Sequence, residues 1–339
     1  MRRRFFNTTK GVDINNYLTI EALEDGLTAS LSIKACEYCV DGDGNWKTLD
    51  ANTVTESINT GHTLSFRNKV SSGVATSIGT FTVNKNFNLK GNCMSMLFGD
   101  AGKDRYTLAG YPGAFNELFY NCTTLISVSA NFLPATTLSE GCYYSMFKNC
   151  TSLTTAPVLP ATTLAGSCYR SMFELCSNLI SAPELPATTL TNFCYIYIFY
   201  GCRKLNYIKM LATNISAYQC LNRWVVGVAS AGTFVKNPEA TWEVYGSDGI
   251  PNGWRVKFDG EERVEITFYI DGVEYKAEEG MTWFDWCNDT YYSKGKWVVE
   301  GNAIHSKDQT ASICAYACDT IVSGQNYRLL ALGGGGGGN

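Results

Sequence analysis

Cysteine is the residue type whose spacing stands out first. Cys142, Cys168, Cys194 and Cys220 follow one another at 26 residues, and Cys150, Cys176 and Cys202 each stand eight residues behind one of them. Thiols in such columns have three chemical uses: they bridge in pairs, they hold a metal, or one acts as a thiolate nucleophile beside a base. The third use needs a general base near neutral pH, and the two histidines, His62 and His305, fall in different predicted domains. Bridges between successive units stay geometrically open, because stacked strands lie about 4.8 Å apart, within the Cα range of a disulfide. A mechanical use is the expected one. Free cysteine behaves as a small hydrophobe, and two columns of it fill a narrow core without cavities.

Those columns must be positioned by a repeating element. Ala114 with Cys122 fits an earlier unit, the stretch around Cys93 reads as a degenerate opening unit, and Cys220 opens a closing one. A fixed period of this size is the signature of a solenoid. Within a unit the apolar positions are the first cysteine and its neighbours at +1, +4, +5 and +8, as in Cys142, Tyr143, Met146, Phe147 and Cys150. That spacing predicts one face of a short helix. The phrase LPATTL then supplies a proline, which ends pairing, and residues suited to a brief extended piece. Each unit is therefore expected to run helix, turn, short strand.

The units CYYSMFKNCTSLTTAPVLPATTL and CYRSMFELCSNLISAPELPATTL resemble the leucine-rich repeats of BspA-like surface proteins of gut Bacteroidales and the phages that infect them. The resemblance covers roughly residues 91–257, with GTFVKNPEATWEVYGSDGIPNGWRV similar to that family's cap. It implies adhesion to surfaces rather than catalysis.

The flanks read differently. YLTIEAL, LTASLSI, CEYCVDGDGNW, HTLSFRN and GTFTV are strand-like runs between Gly, Asn and Asp turns, so a β-sandwich or small β-domain is expected over 17–90. Asp41, Asp43 and Asn45 alternate as calcium ligands do. Trp46 then occupies the place of the loop glycine and Asn52 that of the bidentate glutamate, so a hairpin turn is the better reading. Cys36 and Cys39 form a lone pair without a second at metal spacing. Beyond the cap, EITFYIDGVEYKAEEG predicts a hairpin turning at Asp271 and Gly272, MTWFDWCND a short helix, and KWVVEG, ASICAYAC and NYRLLAL further strands. This module weakly resembles a terminal module of gut-phage tail and fibre proteins. Cys314 and Cys318 read as buried small residues, and Gly333–Gly338 as a flexible tail or a stacking point between chains.

The expected architecture is α+β: a docking segment 1–16, a β-domain 17–90, a leucine-rich-repeat solenoid 91–230 in coils of about 26 residues, a cap 231–260, a small α+β module 261–332 and a tail 333–339. Net charge −4 offers no footprint for nucleic acid, and no stretch approaches the roughly 18 apolar residues of a membrane span. The start, MRRRFFNTTK, lacks the apolar core of a secretory signal, so export by the general route is not expected.

These features together point to a non-enzymatic virion protein, a tail or head fibre or decoration protein of a bacteriophage. Its expected partners are other virion proteins and a host surface glycan or protein, with a homo-oligomer possible and no cofactor or metal. A bacterial adhesin is the alternative and a glycan depolymerase the third reading, since scattered carboxylates leave a glycosidase pair open. Two sets of residues are candidates for contact. Tyr144, Lys148, Arg170, Glu174 and Tyr200 occupy the variable +2 and +6 positions and form an exposed mixed face for the host ligand. Arg2, Arg3, Arg4, Phe5 and Phe6 combine forked charge with aromatic anchors and suit virion docking.

Overall fold

A computed structural model describes residues 11–69 and 78–260 and, beyond them, 265–278, 283–288, 297–300, 303–306, 311–313, 320–321 and 325–331. The class is α+β, mostly strands. The chain divides into two compact units, 1–259 and 260–339.

In the first unit, alternating runs make β1 (Leu18–Ala22), β2 (Ala29–Leu31), β3 (Cys36–Val40), β4 (Lys47–Leu49), β5 (Thr63–Arg67), β6 (Phe81–Val83) and β7 (Phe87–Gly91). A four-residue helix, α1 (Ser95–Phe98), follows, and β8 (Leu125–Val128) comes from the first repeat. The main sheet has the order β4-β3-β5-β1-β7-β8, with β2 and β6 paired apart. Its last pairing, β7 with β8, is parallel and joins the N-terminal sheet to the repeats. One continuous core runs accordingly from Leu18 to Trp254. Between β3 and β4, the DGDGN stretch turns with Asp41, Gly42 and Gly44 all at positive φ, and Trp46 packs on Tyr17 at 4.9 Å.

The repeats depart from the expected helices. Residues 112–121, 140–149, 166–175 and 192–201 are continuous turn, not α-helix. Every fourth residue is left-handed: Gly141, Ser145 and Asn149 have φ of 59, 52 and 61°, and Ser167, Ser171 and Leu175 repeat the pattern at 55, 55 and 64°. Alternate N–H groups then go two ways. Tyr144, Met146, Lys148 and Cys150 donate to the carbonyls three residues back in their own unit. Tyr143, Ser145, Phe147 and Asn149 donate to Cys168, Arg170, Met172 and Glu174 of the next unit, at 3.0, 2.9, 3.0 and 2.7 Å. A helix would spend all of these donors internally; the turn run spends half of them on holding its neighbour. The buried spacing 0, +1, +4, +5, +8 repeats at four rather than 3.6 residues. Over nine residues those periods differ by about 80°, which a short segment does not reveal.

Each unit points the same side chains inward. Phe115, Tyr143, Tyr169 and Tyr195 stack ring on ring at 5.7, 5.8 and 6.1 Å with planes within 14° of parallel. Phe81, Phe119, Phe147, Phe173 and Phe199 form a second column at 5.3 to 6.0 Å. Trp224 closes that column at 6.2 Å, and its indole donates to Gly249 O at 2.8 Å. At this end β9 (Tyr207–Met210), β10 (Thr233–Lys236) and β11 (Arg255–Phe258) pair in parallel. The indoles of Trp242 and Trp254 bond Ala212 O and Ala229 O, each at 2.8 Å, so the last donors reach back to the preceding turn.

In the second unit, β12 (Glu265–Ile270) and β13 (Val273–Glu278) form the hairpin, turning at Asp271 and Gly272 with φ of 45 and 77°. Two positive φ values are what a two-residue hairpin loop requires. A short helix, α2 (Trp283–Asn288), sets Trp283 and Trp286 edge-on to Phe268, both at 5.3 Å. The remaining strands are β14 (Trp297–Glu300), β15 (Ala303–Ser306), β16 (Ala311–Ile313), β17 (Asn326–Tyr327) and β18 (Leu329–Ala331); β17 joins β12, and the others form the order β14-β15-β16-β18. Cys314, Cys318 and Gly333–Gly338 lie outside the described residues.

The turn geometry is testable at Arg223, an exposed left-handed residue with φ 51°. A non-glycine residue there carries about 1 kcal/mol of strain, more when β-branched. Urea unfolding should rank Arg223→Gly at or above the parent and Arg223→Val lowest. An α-helix at this position would instead place Arg223→Gly about 1 kcal/mol below the parent and last of the three.

Candidate functional site

The described cysteines form no disulfide bridges. All twelve described cysteines are free and buried. No group of three or more His, Cys, Asp or Glu able to hold a metal occurs among the described residues. The second column explains why cysteine and not another small residue stands there. Cys150, Cys176 and Cys202 each donate their thiol to a phenylalanine carbonyl of the preceding unit, Phe119, Phe147 and Phe173, at 3.1, 3.1 and 3.0 Å. The same carbonyls accept the N–H of the cysteine in their own unit, so the S–H takes up the second lone pair of a buried oxygen. Alanine would leave that lone pair empty and valine would crowd it. Burial pushes the Cys142 and Cys194 thiols up to about 12 and raises Cys150, Cys168 and Cys202 well above the usual range. Such thiols are poor nucleophiles.

The face expected to meet a ligand is instead occupied with itself. Arg170 lies over the Tyr144 ring at 5.6 Å, and Lys148 pairs with Glu174 at 2.9 Å, each contact spanning adjacent units. Tyr200 meets Tyr197 edge-on at 5.7 Å. All five side chains are half-buried rather than exposed, and Glu174 keeps only 14% of its side chain accessible. Ile196, in the same row, is buried. Tyr144 with Arg170 and Lys148 with Glu174 thus engage across adjacent units, while Arg170 Nε has no hydrogen-bond partner. Arg2, Arg3, Arg4, Phe5 and Phe6 lie outside the described residues.

An open groove lies on another side, over the LPAT phrases. Its larger part, about 710 Å³, is lined by Asn15, Asn16, Lys90, Gly91, Lys103, Tyr106, Ser129, Asn131, Pro134, Thr136, Val158 and Pro160 among others. A smaller part, about 330 Å³, shares Val158 and Pro160 and continues over Pro157, Pro183, Glu184 and Pro186. The reason for a groove here is the backbone. Neighbouring units pair at Ser127↔Thr155 and at Thr137↔Thr163; between those points Pro134 and Pro160 have no N–H to donate, and Val158 N–H bonds Ala130 O at 3.0 Å.

The rim is held in place by a chain of polar contacts. Arg67 stacks over Trp46 at 4.0 Å and donates to Glu37 at 2.9 Å and to Asp100 at 2.7 Å. Tyr17 donates to Asp100 at 2.9 Å. Burial, with Asp100 beside it, pushes the Tyr17 phenol up to about 12; burial also opposes ionisation of Asp100, but the bonds from Arg67 and Tyr17 outweigh it and hold that carboxyl low. Asp100 thereby fixes the 3-10 segment Gly99–Asp104 that carries Lys103. Gly102 is required beside it, since a Cβ there would stand 2.6 Å from Ser95 N. Gly91, at φ +76°, lets β7 pass Tyr17 O, which a Cβ would meet at 1.9 Å. Tyr106, 56% exposed, has its backbone fixed by the Thr136 N–H at 2.9 Å.

No protein-family model, curated protein or solved structure matches this chain. The chemistry of the groove therefore rests on its own residues. Cations, amides, hydroxyls and proline faces can hold an extended polar ligand with some apolar surface. Sequence reasoning passed over this side because it treated LPATTL as a strand signal. The usable signal was the recurrence of Pro134, Pro160 and Pro186 at one position of successive units.

The buried thiols make stability pH-dependent. Their folded pKa values are raised, so above about pH 8.5 the unfolded chain loses protons that the folded chain keeps. Their contribution is whole below that pH and declines as pH rises toward the folded values, by about 1.4 kcal/mol per pH unit for each such cysteine. The urea midpoint should fall steeply between pH 8 and pH 10. A flat profile would contradict burial of the columns.

Proposed function

We propose that the chain is a non-enzymatic surface-binding protein in which residues 91–230 form a leucine-rich-repeat solenoid closed by 231–260. It serves as a virion component, a fibre or decoration protein of a phage, that contacts the envelope of its host. A bacterial adhesin with the same repeats is the alternative location for the same binding act.

The observation that carries the reading is the groove that follows the proline phrases across successive units. A stack of identical backbone units generates one long surface, and variation at non-core positions tunes it without disturbing the core. Here the core columns repeat closely while, beside the recurring Pro134, Pro160 and Pro186, the residue three before each proline changes from Asn131 to Pro157 to Pro183 and the next from Phe132 to Val158 to Glu184. The pairs Tyr144 with Arg170 and Lys148 with Glu174 take a different part in this reading, as ties between units, while Tyr200 packs on Tyr197 within its own unit. Weak contacts spread along a groove suit a component displayed in many copies.

The direct test is adsorption. Fluorescent full-length chain should bind cells of a panel of Bacteroidales strains saturably and compete with unlabelled chain, without releasing reducing sugar from isolated capsule. Absence of saturable binding across the panel would overturn the surface-binding reading. Release of oligosaccharide would replace it with the depolymerase.

A further inference from the structure

The wide end of the groove differs in charge from the chain that carries it. The protein has net charge −4, yet of the residues lining this cleft two are lysines and none is acidic. Lys90 is already engaged, with Glu21 at 2.5 Å. Lys103 is exposed and forms no ion pair among the described residues. It is a cation on a fixed segment, close enough to Asp100 to help hold that carboxyl low but in no direct ion pair with it.

Further features point to the kind of ligand. Asn16 and Asn131 offer amides, which both donate and accept and so match hydroxyl groups that do the same. Tyr106 presents an exposed ring at the rim, a flat apolar surface with a polar tip. The cleft volume lies within the range of about 300–1,000 Å³ typical of ligand sites, and its continuation over Val158 and Pro160 calls for an elongated ligand.

The geometry points to a subsite for an acidic sugar residue within a surface polysaccharide. Its carboxylate or sulfate meets Lys103, a sugar face lies on Tyr106, neighbouring hydroxyls meet Asn16 and Asn131, and the chain continues along the prolines. This rests on the surface-binding reading and specifies the ligand class. Nucleic acid fits less well, because a phosphate on every nucleotide would need a longer row of cations than two lysines supply.

The test uses the full-length chain with two acidic probes, tri-galacturonate for the carboxylate and a sulfated carrageenan tetrasaccharide for the sulfate. Each is paired with its neutral form, methyl-esterified or desulfated. At least one acidic probe should bind, should shift the resonances of Lys103 and Tyr106, and should bind about tenfold more tightly than its neutral form. Lys103→Gln should weaken it about tenfold, as expected for losing one hydrogen bond to a charged group. Lys204→Gln, an exposed lysine elsewhere on the repeats, should leave binding unchanged. Equal binding of the neutral forms, or full binding by Lys103→Gln, would overturn the subsite. So would failure of both acidic probes while labelled chain still adsorbs to cells, a result that leaves the surface-binding reading standing. Failure of adsorption itself would count against that reading instead.

Discussion

In each repeat every second N–H of the turn run leaves its own unit and donates to a carbonyl of the next. Five such bonds per junction, as from Gly141, Tyr143, Ser145, Phe147 and Asn149, are the constraint from which the rest of the first unit follows. To aim alternate donors sideways, the backbone must reverse at every fourth residue, and a left-handed residue stands at each of those places from Gly113 to Gly227. The reversals repeat at four, so the inward side chains also repeat at four, and identical residues in successive units come to lie on one another. Ring columns and thiol columns are the consequence. Leu175, Tyr197 and Arg223 hold left-handed conformations without glycine's freedom, so the inter-unit bonds outweigh a real local cost.

The cysteines answer a need set by that backbone. A carbonyl that accepts one N–H inside a dry core still has a second lone pair, and the thiol of the next unit fills it with a small, weakly polar donor. Serine would make the bond but bring a more strongly hydrated group into the core. The thiol columns and the aromatic columns thus seal the same junction, one by hydrogen bonding and packing, the other by area. Stacked rings at nearly 6 Å follow the spacing of the units rather than a preferred ring geometry.

Much of this was legible in the residues. The 26-residue period, the inward identity of Cys142, Tyr143, Met146, Phe147 and Cys150, the N-terminal strands and the Asp271–Gly272 hairpin all follow from patterning alone. The conformation of the inward run did not. A nine-residue apolar face fits both a helix and a chain of four-residue turns, and the small residues Gly141, Ser145 and Asn149 were the available signal. The half-burial of the candidate face was hidden for a related reason. Spacing places Tyr144 and Lys148 on one side, but only coordinates reveal that Arg170 and Glu174 of the next unit reach back to them. The groove was hidden because its walls come from residues far apart in the chain, from Asn15 to Pro160. The cation in it, Lys103, sits outside the repeats on a segment clamped by Asp100, which no periodicity marks.

The groove and the ladder are two sides of one arrangement. Along the turn runs every second N–H ties one unit to the next; over the LPAT phrases the prolines donate none, fewer ties such as Val158 to Ala130 remain, and the open surface lies there. The central claim is therefore the identity of the acceptors. Scalar couplings across hydrogen bonds, measured by long-range HNCO spectroscopy on the deuterated protein, observe this directly. The amide nitrogens of Tyr143, Ser145, Phe147 and Asn149 should correlate with the carbonyl carbons of Cys168, Arg170, Met172 and Glu174. Correlations from those amides to carbonyls four residues back in their own unit would establish helices and contradict the account.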